Sequence, residues 1–412
     1  MELKGLSYLR RKLTLKATRV RLRYQWYEMK NTAQDFNIST PPNLKHWMTT
    51  LGWCAKAVDS MADRLVFREF RADDFDLNGI FRMNDPDVFF DSAVLSALIA
   101  SCCFVYISAD DQGTPRLQVI DGSQATGIID PITGLLTEGY AVLERDSDTG
   151  APLMEAYFTS KATEIYQSGK DVWRYEHQVG HPLLVPIIYR PDAVRPFGHS
   201  RISRACMAIQ GSAMRTVKRS EISAEFYSFP QRWATGLSED AEQLDKWRAS
   251  MSSLITFTKD EEGDAPSLGQ FTQQAMTPHV EQLRMFASLF AAETGLTLDD
   301  LGMPADNPSS SEAIRAAHEN LRLACRKAQR SFGSGFLNVG YLAACLRDQY
   351  AYQRRQMVLE QPIWEPIFEP DLSAMAMVGD ATVKINQAVP GYLDRDALQD
   401  MTGIRPAGGV DA

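Results

Sequence analysis

Apolar positions in the first hundred residues recur mostly at the three-to-four spacing of a helix. Residues 3–30 predict a basic helix. After a loop rich in Asn and Pro (Asn37 to Asn43), Trp53, Ala57, Val58, Met61 and Leu65 step along one face of a helix expected over about 44–65. Leu65 to Phe70 alternates as a strand. Val88, Ser92, Leu95 and Ile99 share a face of a further helix over 85–102, and Cys103 to Ser108 reads as a buried strand. From there to about Pro191 the period shortens. Short β-branched and aromatic runs are separated by turn clusters at Asp110–Gly113, Asp130–Gly134, Asp146–Gly150 and Ser168–Lys170, which predicts an antiparallel meander.

The second half returns to long helices. Ile209, Ala213, Val217, Ser220 and Ala224 form one stripe of a Pro-free segment from Ser200 to Tyr227, a helix of roughly 40 Å. Pro230 ends it. Arg232 to about Gln274 reads as a mixed insert. Thr277 as N-cap and Pro278 at the first helical position open another helix to Glu293, with Gly295 placed to close it. A loop over 295–311 follows. Ser309 and Glu312 have capping-box spacing, and the helical pattern they open continues to about Arg355. Ile314, Ala317, Leu321, Ala324, Ala328 and Phe332 make its packing seam, and Gly333, Gly335 and Gly340 mark an expected kink. The chain is thus α+β: a helix-flanked antiparallel sheet, a helix hairpin with an elaborated tip, and a long helix.

Composition changes this picture little. With 412 residues and 44% hydrophobic positions the chain can bury a sizeable core of two or three units. No apolar run reaches the roughly 18–20 residues of a membrane span, and the basic N-terminus is not followed by a signal-like apolar region. Six scattered cysteines read as small core residues in a reducing compartment. The net charge of −9 argues against tight DNA binding, which draws its affinity from cations on phosphates. The charge is uneven. Met1 to Lys30 carries nine Lys and Arg against two Glu, and from Glu360 onward nine acidic residues face three basic ones. Such asymmetry points to surfaces that meet other subunits, or to solvated helix faces.

Candidate chemistry is sparse. No phosphate-binding P-loop is present, and Gly333-Ser334-Gly335 lies within a helical pattern where neither a dinucleotide loop nor a nucleophile elbow belongs. His177 and His181 are four apart in a strand-like segment, a poor setting for metal ligands, and the remaining histidines lack partners at ligand spacing. Asp74, Asp76, Asn78, Gly79 and Asp85 occupy positions 1, 3, 5, 6 and 12 of a calcium loop, with Phe81 as its apolar eighth residue. Position 12 is however Asp where a bidentate Glu is expected, and a strand precedes the loop. Asp73, Asp74 and Asp76 would serve a metal-dependent nuclease as an alternative reading. No cofactor is expected.

Several segments, in order, resemble the portal protein family of tailed bacteriophages. Leu51 to Arg71 is similar to the family's helix-to-strand entry into the wing. Phe197-Gly-His-Ser-Arg-Ile-Ser203, and the helix ending Ala224-Glu-Phe-Tyr-Ser-Phe-Pro-Gln-Arg-Trp233, resemble its first stem helix and entry to the clip. Gly295-Leu-Thr-Leu-Asp-Asp-Leu-Gly302 with Asp306-Asn-Pro-Ser-Ser-Ser-Glu-Ala-Ile-Arg315 looks like the end of the second stem helix, the tunnel loop and the start of the long kinked helix. Trp364-Glu-Pro366 resembles the return to the wing. Two departures stand out: the family's aromatic-Gly motif is present only as Tyr24-Gln-Trp-Tyr27, without Gly, and the part after Thr382 is short.

The resemblance implies N-terminal helices and wing at 1–199, a first stem helix at 200–229, a clip of mixed α/β structure at 230–276 and a second stem helix at 277–296. It then implies a tunnel loop at 297–310, a long kinked helix at 311–355, and a return to the wing with a short helical crown at 356–412. The function implied is that of a homo-dodecameric ring at one capsid vertex, without enzymatic activity of its own, through which double-stranded DNA is packaged and ejected. Its partners would be the large terminase, a head-completion adaptor, and the major capsid and scaffolding proteins. It would reside in the virion, and in host cytoplasm during assembly, without a membrane. Channel residues would be Asp299, Asp300, Met303, Asp306, Asn307, Ser309, Arg315 and Arg322, with Arg326 and Arg330 lining or bracing the helix behind the loop, or pairing between subunits. Arg232, Trp233, Asp260, Glu261, Glu262 and Asp264 would dock terminase and adaptor. Another phage connector or adaptor protein remains the alternative within this class.

Overall fold

The computed structural model describes residues 3–31, 48–228, 232–235, 267–270, 275–303, 316–368 and 372–402. The chain begins with helix α1 (Leu6–Tyr27), whose buried stripe of Leu9, Leu13, Ala17 and Val20 is spaced for one helical face. Helix α2 (Trp53–Ala62) starts at Trp53, later than the pattern suggests, with Gly52 before it in a non-helical conformation. Strand β1 (Phe67–Arg71) follows, then a short helix α3 (Leu77–Arg82) and α4 (Pro86–Ala100), which has Pro in its first turn. α4 is apolar on most sides, as befits a helix buried among other elements.

Two antiparallel sheets come next. β2 (Cys102–Ala109), β3 (Pro115–Asp121) and β9 (Leu184–Ile188) form one in the order β3-β2-β9. β4 (Ala125–Ile129), β5 (Leu136–Arg145), β6 (Pro152–Phe158), β7 (Ala162–Gln167) and β8 (Trp173–Glu176) form the other as a simple meander. The turns between β2 and β3, β4 and β5, β5 and β6, and β7 and β8 fall on the four turn clusters of the sequence. In each, an Asp or Gly satisfies the local geometry: Asp110 Oδ1 accepts from the Gln112 and Thr114 amides, and Gly113 adopts φ +81°. α1 lies across the meander, with Leu9 and Leu13 packed against Tyr140, Val142 and Tyr157.

The second half is built on helices. α5 (Arg204–Ser228) runs antiparallel to α6 (Thr277–Thr294), and β10 (Arg232–Thr235) pairs with β11 (Ser267–Gln270) just beyond α5. Cross-links fix the helix register: Ser203 donates to Glu293 at 2.8 Å, Thr216 to Gln282 at 3.1 Å, and Ser223 meets His279 at 3.3 Å. Thr277 is the first residue of α6, not its cap, and Met276 precedes the helix without a side-chain cap bond. Gly295 closes α6 in the left-handed conformation, with its amide on the Ala291 carbonyl.

A 3-10 turn at Asp299–Leu301 leads towards α7 (Glu319–Arg347). The seam residues Leu321, Ala328 and Phe332 are buried, whereas Ala324 is half-buried, with its neighbour Cys325 buried instead, and Ala317 is exposed. α7 continues as helix through Gly333, Gly335 and Gly340, and close packing accounts for these glycines. A Cβ on Gly333 would lie 2.7 Å from Pro362 Cγ, and one on Gly335 2.9 Å from Ile187 Cδ1. The chain then passes another 3-10 turn (Arg354–Met357) to β12 (Gln361–Trp364), which pairs antiparallel with β1, and ends in α8 (Leu372–Ala388) and α9 (Arg395–Thr402). Phe67, Phe70, Phe90, Phe336 and Trp364 pack in tilted and edge-to-face pairs around this ribbon, joining the first half to α7 in one core.

Candidate functional site: the turn between the hairpin and the long helix

Three of the expected channel residues sit together where α6 gives way to α7. Gly295 and Gly302, both at positive φ, bend the chain on either side of Asp299–Leu301. Leu301 is buried and Met303 packs against the core, which anchors the turn from below. Asp300 accepts from the Thr297 amide and hydroxyl at 2.9 Å each. Its Oδ2 lies 3.3 Å from His318 Nε2, on the residue before α7. Burial works to raise the Asp300 pKa, but the Thr297 hydrogen bonds and the charges of His318 and Arg64 outweigh it and hold the carboxyl below its ordinary value. Phe368 completes the cluster, with the Arg64 guanidinium over its ring at 5.3 Å and the His318 ring 6.0 Å away.

Arg322 lies one turn into α7. Both arms of its guanidinium reach Glu319, at 2.7 and 2.6 Å, so its charge is matched on its own helix. Arg326 and Arg330 follow on the exposed side of α7. Asp306, Asn307, Ser309 and Arg315, and the Ser309–Glu312 capping box, lie outside the described residues, as do Asp260, Glu261, Glu262 and Asp264. Arg232 and Trp233 are placed on β10, opposite Gln270 and Gly269 of β11.

The acidic stretch after β1 is not a calcium loop. α3 occupies its middle, and the side chains of Asp73, Asp76 and Asn78 are already engaged. Asn78 exchanges two hydrogen bonds with the Phe70 backbone at 2.8 and 2.9 Å, Asp73 accepts from the Asn78 amide at 3.0 Å, and Asp76 pairs with Arg347 at 3.2 Å. Among the described residues no group of His, Cys, Asp or Glu is arranged to hold a metal ion. All six cysteines are buried and unbonded to one another. No helix among the described residues is long and apolar enough to cross a membrane.

Two positioning side chains carry no sequence signal. Buried Gln210 on α5 accepts from the Cys54 amide at 2.7 Å and donates to the Leu51 carbonyl, holding the start of α2. Arg201, before α5, donates to the Ala57 carbonyl at 3.2 Å and to the Thr294 carbonyl at the end of α6. Their partners lie far away in sequence, so no local pattern exposes them. His318 escapes sequence reasoning for the same reason: its partner Asp300 lies beyond the reach of any motif spacing.

Comparison with known proteins places the chain in a family. The family model of the phage portal protein, SPP1 Gp6-like, matches residues 6–372. The portal protein of Mycobacterium phage L5 is 23% identical over 399 residues, covering 90% of this chain and 79% of the relative. That of Mycobacterium phage D29 is 23% identical over 400 residues, covering 91% and 81%. Among solved structures, a chain from the virion of the native gene transfer agent particle matches 86% of this chain and 90% of its own, at 13% identity and a TM-score of 0.44. A chain from the neck of the native particle, computed with C12 symmetry, matches to the same extent at a TM-score of 0.45. With a family match running from the first helix to the start of α8, the chain belongs to the phage portal proteins of the SPP1 Gp6-like family, structural components of the virion and not enzymes.

Proposed function

We propose that copies of this chain close into a dodecameric ring at one vertex of a phage capsid, and that double-stranded DNA passes through its centre during packaging and ejection. The observation that carries this reading is the succession of the α5–α6 hairpin with its β10–β11 ribbon, the buried-anchored turn at Asp299–Leu301, and the 29-residue helix α7. In this reading residues 1–199 are the N-terminal helices and wing, and 200–229 and 277–296 are the two stem helices. The clip is 230–276, the tunnel loop 297–310, the long helix 311–355, and the return to the wing with a short crown 356–412.

The clip, with Arg232, Trp233, Asp260, Glu261, Glu262 and Asp264, docks the large terminase and later a head-completion adaptor. The wing meets the major capsid and scaffolding proteins, and assembly takes place in host cytoplasm. Asp299, Asp300, Met303, Asp306, Asn307 and Ser309 face the channel, with Arg315 and Arg322 behind them. Their composition suits a sliding contact. Acidic and neutral side chains do not hold phosphates, and Arg322 is already neutralised by Glu319.

The mass and shape of the purified protein test this reading, by native mass spectrometry and negative-stain imaging. Closed rings with a central hole are expected, since a channel requires cyclic symmetry. A compact dimer burying α7 would overturn it.

A further inference from the structure

Helix α1 is used on only one side. Its apolar stripe from Leu9 to Val20 is buried, with Leu9 and Leu13 on the meander and the helix also packed against α4 and α2, and Lys12, Lys16, Arg19 and Arg23 recur at intervals of four, three and four beside that stripe. At 3.6 residues per turn these cations share one face and extend roughly 16 Å along it. None of them joins an ion pair among the described residues. Lys12 donates to the Gly127 carbonyl at 2.5 Å and, with Lys16, stands over the Phe197 ring at 5.0 and 4.7 Å, while Arg23 donates to the Ala100 carbonyl at 3.0 Å. The headgroups of Lys12, Lys16 and Arg23 are therefore met by carbonyls and an aromatic face, and Glu138 is the carboxylate whose charge acts on Lys12. Burial, and then the neighbouring charges of Lys16 and Lys4, push the Lys12 ammonium down to about 8 against the opposing charge of Glu138. On the other flank of the row Tyr8, Leu15 and Leu22 repeat every seven residues and are all exposed, Leu15 at 69%. A heptad-spaced apolar line beside a line of cations is one half of a helix–helix interface.

The complementary half exists in the same sequence. α8 and α9 pack against each other and scarcely against any other element. They expose Met377, Val383, Val389, Tyr392 and Met401. From Leu372 to Thr402 the sequence holds Asp380, Asp394, Asp396 and Asp400 against Lys384 and Arg395, and its surroundings from Glu360 onward are more acidic still. Within one chain the two halves share no extensive contact among the described residues. We infer that the exposed face of α1 receives the α8–α9 hairpin of a second copy of this chain, apolar line to apolar line and cations to carboxylates. The inference rests on the ring reading, in which every α1 has a neighbouring copy.

Charge exchange in the full-length chain tests it. Lys16→Glu with Arg19→Glu is one variant, Asp396→Lys with Asp400→Lys a second, and all four substitutions together a third. Mass photometry across a dilution series reads the concentration at which rings dissociate, and far-UV circular dichroism checks that each variant is folded. Each two-site variant is expected to raise that concentration about tenfold, and the four-site variant to return it close to the parent value, because paired charges are restored. Rings indifferent to both two-site variants, or not restored by the exchange, would overturn the inference and leave the ring itself standing. A parent chain that forms no rings would instead remove the ring reading and the inference with it. Rings unchanged in purified protein, with the α1 variant lost from assembled particles, would assign this face to an acidic helix of another virion protein and so refute the second copy.

Discussion

His318 Nε2 lies 3.3 Å from Asp300 Oδ2, tying the residue before α7 to the turn that follows α6. The pair, with the Thr297 hydrogen bonds, is what anchors both ends of the proposed tunnel loop. Asp300→Asn removes the charge while keeping the shape, and is expected to cost about 1 kcal/mol of stability. The sign of its pH dependence follows from the lowered carboxyl. Asp300 contributes stability that is present above its ordinary value of 3.8 and lost as pH falls towards the depressed folded value. Denaturation curves at about pH 6 and about pH 3 should therefore differ less for the variant than for the parent. An equal difference in both proteins would remove Asp300 from this role.

Gly333 and Gly379 separate two uses of glycine in a helix. A methyl at 333 meets the Pro362 ring at 2.7 Å, and a ring joined to backbone cannot turn aside; at 379 it meets nothing within 4 Å. Gly333→Ala is expected to destabilise by about 1–3 kcal/mol in spite of the better helix former. Gly379→Ala should stabilise by up to about 1 kcal/mol. Thermal melts of the two variants suffice, and a stabilised Gly333→Ala would contradict the packing account.

Arg201 is 8% exposed and spends its guanidinium on carbonyls of α2 and of the last turn of α6. Arg201→Met keeps most of the apolar stem and leaves those carbonyls without their charged donor. The expected loss is about 3 kcal/mol, since hydrogen bonds to charged groups contribute roughly 1.5–3 kcal/mol. Hydrogen exchange should show the start of α5 and the end of α6 opening together.

Both ring nitrogens of His177 are buried without a hydrogen bond among the described residues, and burial lowers its pKa and that of His181. The unfolded chain takes up these protons first as pH falls below the ordinary 6.5, so the native state loses stability in that range. His177→Phe should flatten the decline between about pH 6.5 and pH 5. Urea midpoints measured across that interval decide the matter, and an unaltered slope would count against it.

The meander is legible in the sequence because its instructions are local. Asp110, Asp130 and Asp146 with the glycines that follow them specify turns within five residues, and strands of alternating or buried pattern lie between them. Helices α4 and α5 are legible for the same reason, as stripes at helical spacing, and α6 from Pro278 and Gly295 at its ends. The late start of α2 is not, since it depends on Gln210 of α5 reaching back to Leu51 and Cys54.

The sequence by itself determined the order of the elements and the turn chemistry between them, together with the absence of catalytic motifs. Only the tertiary structure decided that Trp364 pairs with Phe67, that Asp300 meets His318, and that the α7 glycines admit neighbours. Periodicity and turn preference are properties of a few adjacent residues, whereas these contacts depend on which apolar faces find each other across most of the chain. That choice is made by burying both faces at once, and no single segment carries it.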